Sequence, residues 1–303
     1  MANLRDIKKR ISSISSTMQI TRTMEMVSTA KIRRALDRAR RAEPYKKALT
    51  DVMLTVAQDA QSAGNNALMR PRESVKRGLV VAVASDRGLA GGFNVGVVRS
   101  VEQIMSDWGR RGIDTEIITC GRKPSEYFGS RADVVMNFTG SSADPTLEQA
   151  RMIASYICDG YASEQIDQVE VVYHHARNRV VQQLRCERLL PLDPEMLAMA
   201  HGPRKNANEG PKRLQASFTF VPSAERVLGE LIPSYVLTVV HQALIDSAAA
   251  EQGARRTAMH SATENATAII STLSHTYNRV RQASITTEIN EIVGGASALE
   301  EQQ

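Results

Sequence analysis

The first sixty residues carry a repeating pattern of apolar and polar positions. Residues 3–58 contain no glycine, and Pro44 is their only proline. Positions on one helical face follow at alternating spacings of three and four, which is typical of a coiled coil. Because the large apolar members come first, we expect a seam that packs tightly near the chain start and loosely further along. These positions are Leu4, Ile7, Ile11, Ile14, Met18, Thr21, Glu25, Ser28, Ile32, Ala35 and Ala39.

The last eighty residues repeat this pattern. Ser223 and the acid at Glu225 predict the start of a helix that runs to about Ser297, with its first turns broken or kinked at Pro233. Two such helices can cover each other as an antiparallel coiled coil, although each could instead pack separately on a globular core. The positions with alternating spacing are Ile270, Leu273, Tyr277, Val280, Ser284 and Thr287.

Between the terminal helices, short apolar runs alternate with helical segments. A Gly-rich turn at 85–94 opens the first helix, Pro145 lies in the first turn of a later one, and 193–213 predict a mobile loop. The expected fold is α/β: a long antiparallel coiled coil of N- and C-terminal helices plus a small Rossmann-like α/β domain with a mainly parallel sheet. Strands are predicted at 78–84, 114–119, 133–138, 169–174, 180–189 and 214–221, and helices between them at about 94–108, 123–128 and 145–161. The predicted domains are an N-terminal coiled-coil helix at 1–60, the α/β domain at 76–221 and a C-terminal coiled-coil helix at 223–303.

Composition narrows the functional classes. No stretch approaches 18 consecutive apolar residues, so we expect no membrane span, and the N-terminus lacks the apolar region of a secretory signal. Cys120, Cys158 and Cys186 form no CxxC motif, which favours buried, reduced thiols.

Charge is distributed unevenly along the chain. Residues 1–50 hold 13 Lys or Arg against four acids, a net +9, so the remaining residues sum to −4 within the total of +5. A basic segment implies an anionic partner, and nucleic acid, lipid headgroups and acidic protein loops all remain open. Around the basic run 31–47 only Tyr45 is aromatic, so base stacking would be poor and a solvated face or an acidic protein partner is favoured.

The Gly-rich turn is the most enzyme-like feature. It fits neither GxGxxG nor GxxxxGK[ST], so a tight strand-to-helix turn is expected, with a nucleotide-binding enzyme as the alternative. His174 and His175 are neighbours on a predicted strand and point to opposite faces, which does not suit one metal site. We therefore predict no catalytic residues, no cofactor and no metal site.

Five stretches resemble the gamma subunit of F-type ATP synthases. They are Leu4–Ile11, Gln19–Lys31, Ser85–Asn94, Ala250–Arg255 and Tyr277–Ala296. The chain departs from the family at Ala90, where many relatives have Cys, and at Arg256, where an apolar Met is expected.

The resemblance implies a non-catalytic rotor. Such a central stalk turns inside a hexamer of alternating alpha and beta subunits and couples transmembrane proton flow to ATP synthesis or hydrolysis. Its α/β domain contacts the epsilon subunit and the membrane ring of c subunits, and nucleic acid is not a partner. Whether the ion is H⁺ or Na⁺ stays open, because ion choice lies in other subunits.

The resemblance also assigns contact positions. Met24 matches the family position that meets an acidic loop of the beta subunit, and the C-terminal end from Ile292 to Leu299 matches a tip that turns in an apolar sleeve. Because the motif begins within four residues of Met1, no transit peptide is expected, and the implied location is the cytoplasmic face of the bacterial plasma membrane. The remaining candidates for beta-subunit contact are Arg281, Gln282, Thr286 and Glu288.

Overall fold

A computed structural model of the chain describes residues 4–58, 66–140, 142–192 and 224–300. The predicted strand 214–221, the predicted loop 193–213 and the predicted cap Ser223 lie outside these ranges. The helices are α1 (Leu4–Gln58), α2 (Phe93–Arg110), α3 (Arg122–Phe128), α4 (Leu147–Ala162) and α5 (Ala224–Glu300). The strands are β1 (Arg77–Val83), β2 (Asp114–Cys120), β3 (Asp133–Phe138), β4 (Gln168–Ala176) and β5 (Gln182–Leu190).

The five strands form one sheet in the order β3-β2-β1-β4-β5. β1 pairs in parallel with both β2 and β4, and β2 pairs in parallel with β3. Among the strands that the structure describes, only β5 runs antiparallel, against β4. The prediction of a mainly parallel sheet between long terminal helices is confirmed.

Alternation along β1 divides the core between the two faces of the sheet. Leu79 and Val81 lie in a cluster with residues of α4 and α5, whereas Val80 and Ala82 lie in a second cluster with α2. Successive side chains on a strand point to opposite faces, and both faces here are covered, so β1 carries an uninterrupted apolar run.

The chain divides into two compact units. The coiled unit comprises residues 1–28 and 256–303, and the α/β unit comprises residues 29–255. Within the coiled unit, the Thr21 and Thr263 hydroxyls lie 2.8 Å apart, and His260 Nδ1 lies 3.1 Å from Glu25 Oε1. Residue numbers rise in one helix as they fall in the other, so the predicted antiparallel pairing is confirmed.

The predicted gradient of packing along the α1 seam is wrong. Apart from Ile7, which is 5% exposed, the large apolar seam residues of the coiled unit are only half-buried: Leu4, Ile11, Ile14 and Met18. Ile32 is 1% exposed in the α/β unit and packs in a cluster with Ala35 and Ala249. The heptad spacing identified the covered face correctly, but small residues let two helices approach closely, so they mark the tighter packing.

Three local expectations also need correction. Pro233 does not break its helix, because α5 continues through it, and a kink there stays a prediction. Pro145 precedes its helix, because Thr146 is the N-cap and forms a capping box with Gln149. Cys186 is exposed, whereas Cys120 and Cys158 are buried as predicted.

α5 is long and apolar enough, by length and composition alone, to cross a membrane. However, 56% of its most apolar window is buried inside the protein. Every residue from Gln242 to Gly253 is buried, so this part of α5 is covered on all sides by the chain's own residues. We therefore interpret the apolar window as a core helix.

The junction between β2 and α3 requires glycine. Gly121 has φ +113°, and a Cβ there would lie 2.5 Å from the Ala84 carbonyl oxygen. The backbone that directly follows β1 cannot move aside cheaply, so we predict that Gly121→Ala lowers the free energy of unfolding by about 2–4 kcal/mol. Gly109→Ala, in open space on α2, is the control and is expected to be neutral or stabilising by up to about 1 kcal/mol. Equal urea midpoints for the two variants would contradict the steric argument.

Candidate functional site

The Gly-rich turn between β1 and α2 is held by its own polar side chains. Asn94 Oδ1 accepts a hydrogen bond from the Ser85 backbone N–H at 3.0 Å. The Ser85 hydroxyl lies 2.6 Å from the Arg87 carbonyl oxygen and 2.8 Å from Asn94 Oδ1. These contacts close the turn on itself, as expected for a tight strand-to-helix connection.

Asp86, in the Gly-rich turn, accepts hydrogen bonds from backbone groups that follow β2 and β3. Its Oδ1 accepts hydrogen bonds from the backbone N–H groups of Arg122 at 2.9 Å and Gly140 at 2.8 Å. Its Oδ2 accepts one from the Ser142 N–H at 2.9 Å. Burial raises the pKa of this carboxyl, but the hydrogen bonds from Gly140, Ser142 and Arg122 outweigh it and the pKa is lowered. The protein's own anion therefore uses the donors that follow β2 and β3.

The space beside this turn is small. A cavity of about 20 Å³ lies there, lined by Ala84, Cys120 and Ser142 among others. That volume holds about one water molecule, whereas ligand sites usually measure about 300–1,000 Å³. The geometry therefore does not favour a nucleotide at the Gly-rich turn.

The turn is tied to α5 by a buried ion pair. Arg255 Nη1 lies 2.6 Å from Glu251 Oε1, and the two side chains are 10% and 4% exposed. Arg255 Nη2 donates to the Gly88 carbonyl oxygen at 3.3 Å. Two stretches far apart in sequence, 85–94 and 250–255, thus meet in the α/β unit. Sequence reasoning missed this connection, although Glu and Arg four residues apart in an Ala-rich helix were a signal for an ion pair.

The adjacent histidines have separate partners. His174 Nε2 lies 3.0 Å from the Phe93 carbonyl oxygen, and its ring stacks on Phe93. Burial lowers the pKa of His174, although the hydrogen bond with Phe93 opposes that shift. His175 Nδ1 lies 2.7 Å from Asp246 Oδ2. Among the residues that the structure describes, no group of three or more His, Cys, Asp or Glu side chains could hold a metal ion.

The five predicted contact residues all lie in the coiled unit. Met24 is half-buried, whereas Arg281, Gln282, Thr286 and Glu288 are exposed. Continuing the pairing of Thr21 with Thr263 places Leu4 opposite the turn of Val280 and Arg281. The four C-terminal candidates therefore lie at or beyond the level of Leu4, where α1 begins, and Met24 lies about six turns away along the coil.

Large apolar side chains remain uncovered near the end of α5. Every described side chain from 285 to 294 is exposed. Four of these residues are large and apolar: Ile285, Ile289, Ile292 and Val293 are 46%, 53%, 72% and 58% exposed. An apolar surface of this kind on one helix is typical of a protein contact.

We predict that Asp86→Asn destabilises the α/β unit by about 1–3 kcal/mol at neutral pH, because three backbone donors lose a charged acceptor. The folded-state pKa of Asp86 is lowered, so its stabilisation is present above the unfolded pKa and is lost as pH falls through the folded pKa. In urea unfolding, the free energy of unfolding of Asp86→Asn should be lower than that of the wild type by a constant amount from pH 5 to 8. This difference should shrink below about pH 4. Asp114→Asn, an exposed carboxyl, is the control, with an effect within about 0.5 kcal/mol. A difference that does not depend on pH would contradict this account.

Comparison with known proteins assigns the chain to a family. A family model described as ATP synthase matches residues 3–299. The ATP synthase gamma chain of Symbiobacterium thermophilum is 38% identical over 98% of this chain and 99% of its own length, and that of Geotalea daltonii is 36% identical over 99% of both. The fold matches a chain of the Euglena gracilis mitochondrial ATP synthase at 18% identity with TM-score 0.64, covering 98% of this chain and 94% of that one. A chain of the Tetrahymena thermophila mitochondrial central stalk and c-ring matches at 21% identity with TM-score 0.60, covering 80% and 99%. Because the similarity runs over nearly the whole length at more than a third identity, the chain belongs to the family of ATP synthase gamma chains.

Proposed function

We propose that this gamma-family chain is the central-stalk rotor subunit of an F-type ATP synthase. It couples transmembrane proton flow to ATP synthesis or hydrolysis by rotating inside the alpha/beta hexamer. The observation that carries this proposal is the exposed apolar end of α5, where Ile285, Ile289 and Ile292 are 46%, 53% and 72% exposed. A shaft tip that turns in an apolar sleeve needs such a surface.

Contacts with the beta subunits are assigned to five residues. Arg281, Gln282, Thr286 and Glu288 lie on the exposed part of α5, so a loop of the stator can reach them. Met24 lies on α1 in the same unit, and its half-buried side chain leaves part of the thioether accessible. Contacts made on only one side of the shaft change as it turns, and this asymmetry lets rotation impose different nucleotide affinities on the three beta subunits.

The chain has no catalytic residues of its own in this proposal. Support comes from the surroundings of the Gly-rich turn, where the Asp86 carboxylate takes up the backbone donors of Arg122, Gly140 and Ser142 and about 20 Å³ of space remains. The chemistry of ATP therefore belongs to other subunits, and this chain supplies the mechanical coupling.

Partners and location follow from the family. The alpha and beta subunits surround the coiled unit, and the α/β unit contacts the epsilon subunit and the c-subunit ring. Family membership makes the chain part of a membrane-associated complex, which we assign to the cytoplasmic face of the bacterial plasma membrane. Bacterial relatives named ATP synthase gamma chain support this assignment.

Reconstitution tests the proposal. Purified chain mixed with the alpha and beta subunits of its own organism should elute as one complex that hydrolyses ATP. If the chain elutes apart from alpha and beta subunits that assemble with each other, the proposal fails.

A variant tests the contact residues. We predict that Arg281→Ala combined with Gln282→Ala lowers ATP hydrolysis by the assembled complex at least about fivefold, because polar contacts with the stator are lost. Ser271→Ala, an exposed position where α1 still covers the seam, is the matched control and should retain wild-type turnover. Equal rates in the two variants would remove Arg281 and Gln282 from the contact set.

A further inference from the structure

A large polar cavity lies in the α/β unit, apart from the Gly-rich turn. Its volume is about 500 Å³, within the range of small-molecule sites. α1 forms one wall, the ends of β4 and β5 form the second, and the buried part of α5 forms the third, with Gln242 and Asp246 among its lining residues.

Positive charge converges on this cavity from two elements. α1 contributes Arg40, Lys46 and Lys47, and the strand side contributes Arg177 and Arg185. Of these, Arg185 is paired with Glu187 at 3.2 Å. Within the described ranges, no ion pair involves the other four.

Negative charge in the lining is limited. Asp246 is 4% exposed. Its Oδ1 accepts a hydrogen bond from Gln242 Nε2 at 3.1 Å, and its Oδ2 lies 2.7 Å from His175 Nδ1. Glu43, on the exposed side of α1, is the other carboxylate in the lining. Five cationic groups therefore face one available carboxylate.

A second cavity of about 410 Å³ continues the basic surface. It shares Leu36 and Arg40 with the first cavity and adds two cations, Arg33 and Arg179, and one carboxylate, Asp37. A row of guanidinium and ammonium groups thus follows α1 from Arg33 to Lys47, and such a row suits an anion with several charges along its length better than a single ion.

The uncharged part of the lining favours phosphate over a nucleobase. Tyr173 and Tyr235 line the first cavity, but they are only 2% and 6% exposed, so their rings do not offer a stacking face. Gln242 Oε1 is a buried acceptor without a partner among the described residues, and it does not help to bind an anion. The cavity can therefore recognise a ligand through ionic contacts and through N–H groups that donate hydrogen bonds.

We propose that this basic cavity, defined by Arg40, Lys46, Lys47, Arg177 and Arg185, binds the oligophosphate chain of a small anion. Inorganic tripolyphosphate and the triphosphate of ATP share this chemistry. Because the cavity offers no stacking face for a base, the two should bind with similar affinity. The site is separate from the proposed stator contacts, which lie in the coiled unit.

Calorimetric titration of the full-length chain tests the site. Tripolyphosphate should bind saturably, at least about tenfold more tightly than orthophosphate, and the affinity should fall with added salt because the contacts are ionic. ATP should compete with tripolyphosphate at a comparable concentration. ATP binding that tripolyphosphate does not displace would overturn the proposal, and so would the absence of saturable tripolyphosphate binding.

Matched variants locate the binding. Lys46→Gln with Lys47→Gln should weaken tripolyphosphate binding at least about tenfold, whereas Arg99→Gln with Arg151→Gln, on the exposed faces of α2 and α4, should change it less than about twofold. Circular dichroism should show wild-type helix content for both double variants. Equal weakening by the two would indicate diffuse attraction to a basic protein and would overturn the site.

A competing partner provides the last comparison. An acidic ten-residue peptide added to the tripolyphosphate complex should displace the anion only at far higher concentration, because a 500 Å³ cavity fits a short anion better than a chain of side chains. Displacement by the peptide at lower concentration than ATP would overturn the proposal in favour of a protein-docking surface.

Discussion

The structure depends on how the apolar face of a very long helix is covered. α5 has 77 residues, far more than the width of a five-stranded sheet can bury. In the α/β unit, every residue of α5 from Gln242 to Gly253 is buried. In the coiled unit, α1 covers one apolar face of α5, and that face is only half-buried at Ile270 and Leu273. Beyond the level of Leu4, where α1 begins, apolar residues of α5 remain exposed, and such a surface is typical of a contact with another protein.

Complete burial of one helical segment brings polar groups into the core. Asp246, Glu251 and Arg255 are each less than a tenth exposed, and each has a partner inside the α/β unit. A buried ion pair such as Arg255 with Glu251 adds little net stability relative to apolar packing. It does fix where α5 lies against the turn at Gly88, because an unpaired buried charge would be costly. This geometric role explains why the chain's most enzyme-like turn is tied to a helix and not open to a ligand.

Several elements could be predicted from the sequence because they depend on local spacing. The eleven seam positions of α1 are all buried or half-buried, and the five described strands lie within about two residues of their predicted bounds. Spacing identifies which face of α1 is covered but not how closely the partner helix approaches. For this reason the prediction of tighter packing near the chain start was wrong. Likewise, nothing in the sequence near Asp86 indicated that backbone groups of Arg122 and Gly140 meet its carboxylate, because those contacts span 36 and 54 residues. The candidate contacts at Met24 and Arg281–Glu288 rest on family resemblance, since exposure on a helix does not by itself identify a partner.

The central claim is that this chain is a shaft that turns. The most direct measurement is single-molecule rotation: the alpha and beta subunits are fixed to a surface, and a bead is attached to the α/β unit of this chain. On addition of ATP, the bead should rotate in one direction in discrete steps, at a rate that follows the ATP hydrolysis of the same preparation. A bead that shows only undirected thermal motion while the complex hydrolyses ATP at its full rate would contradict the account.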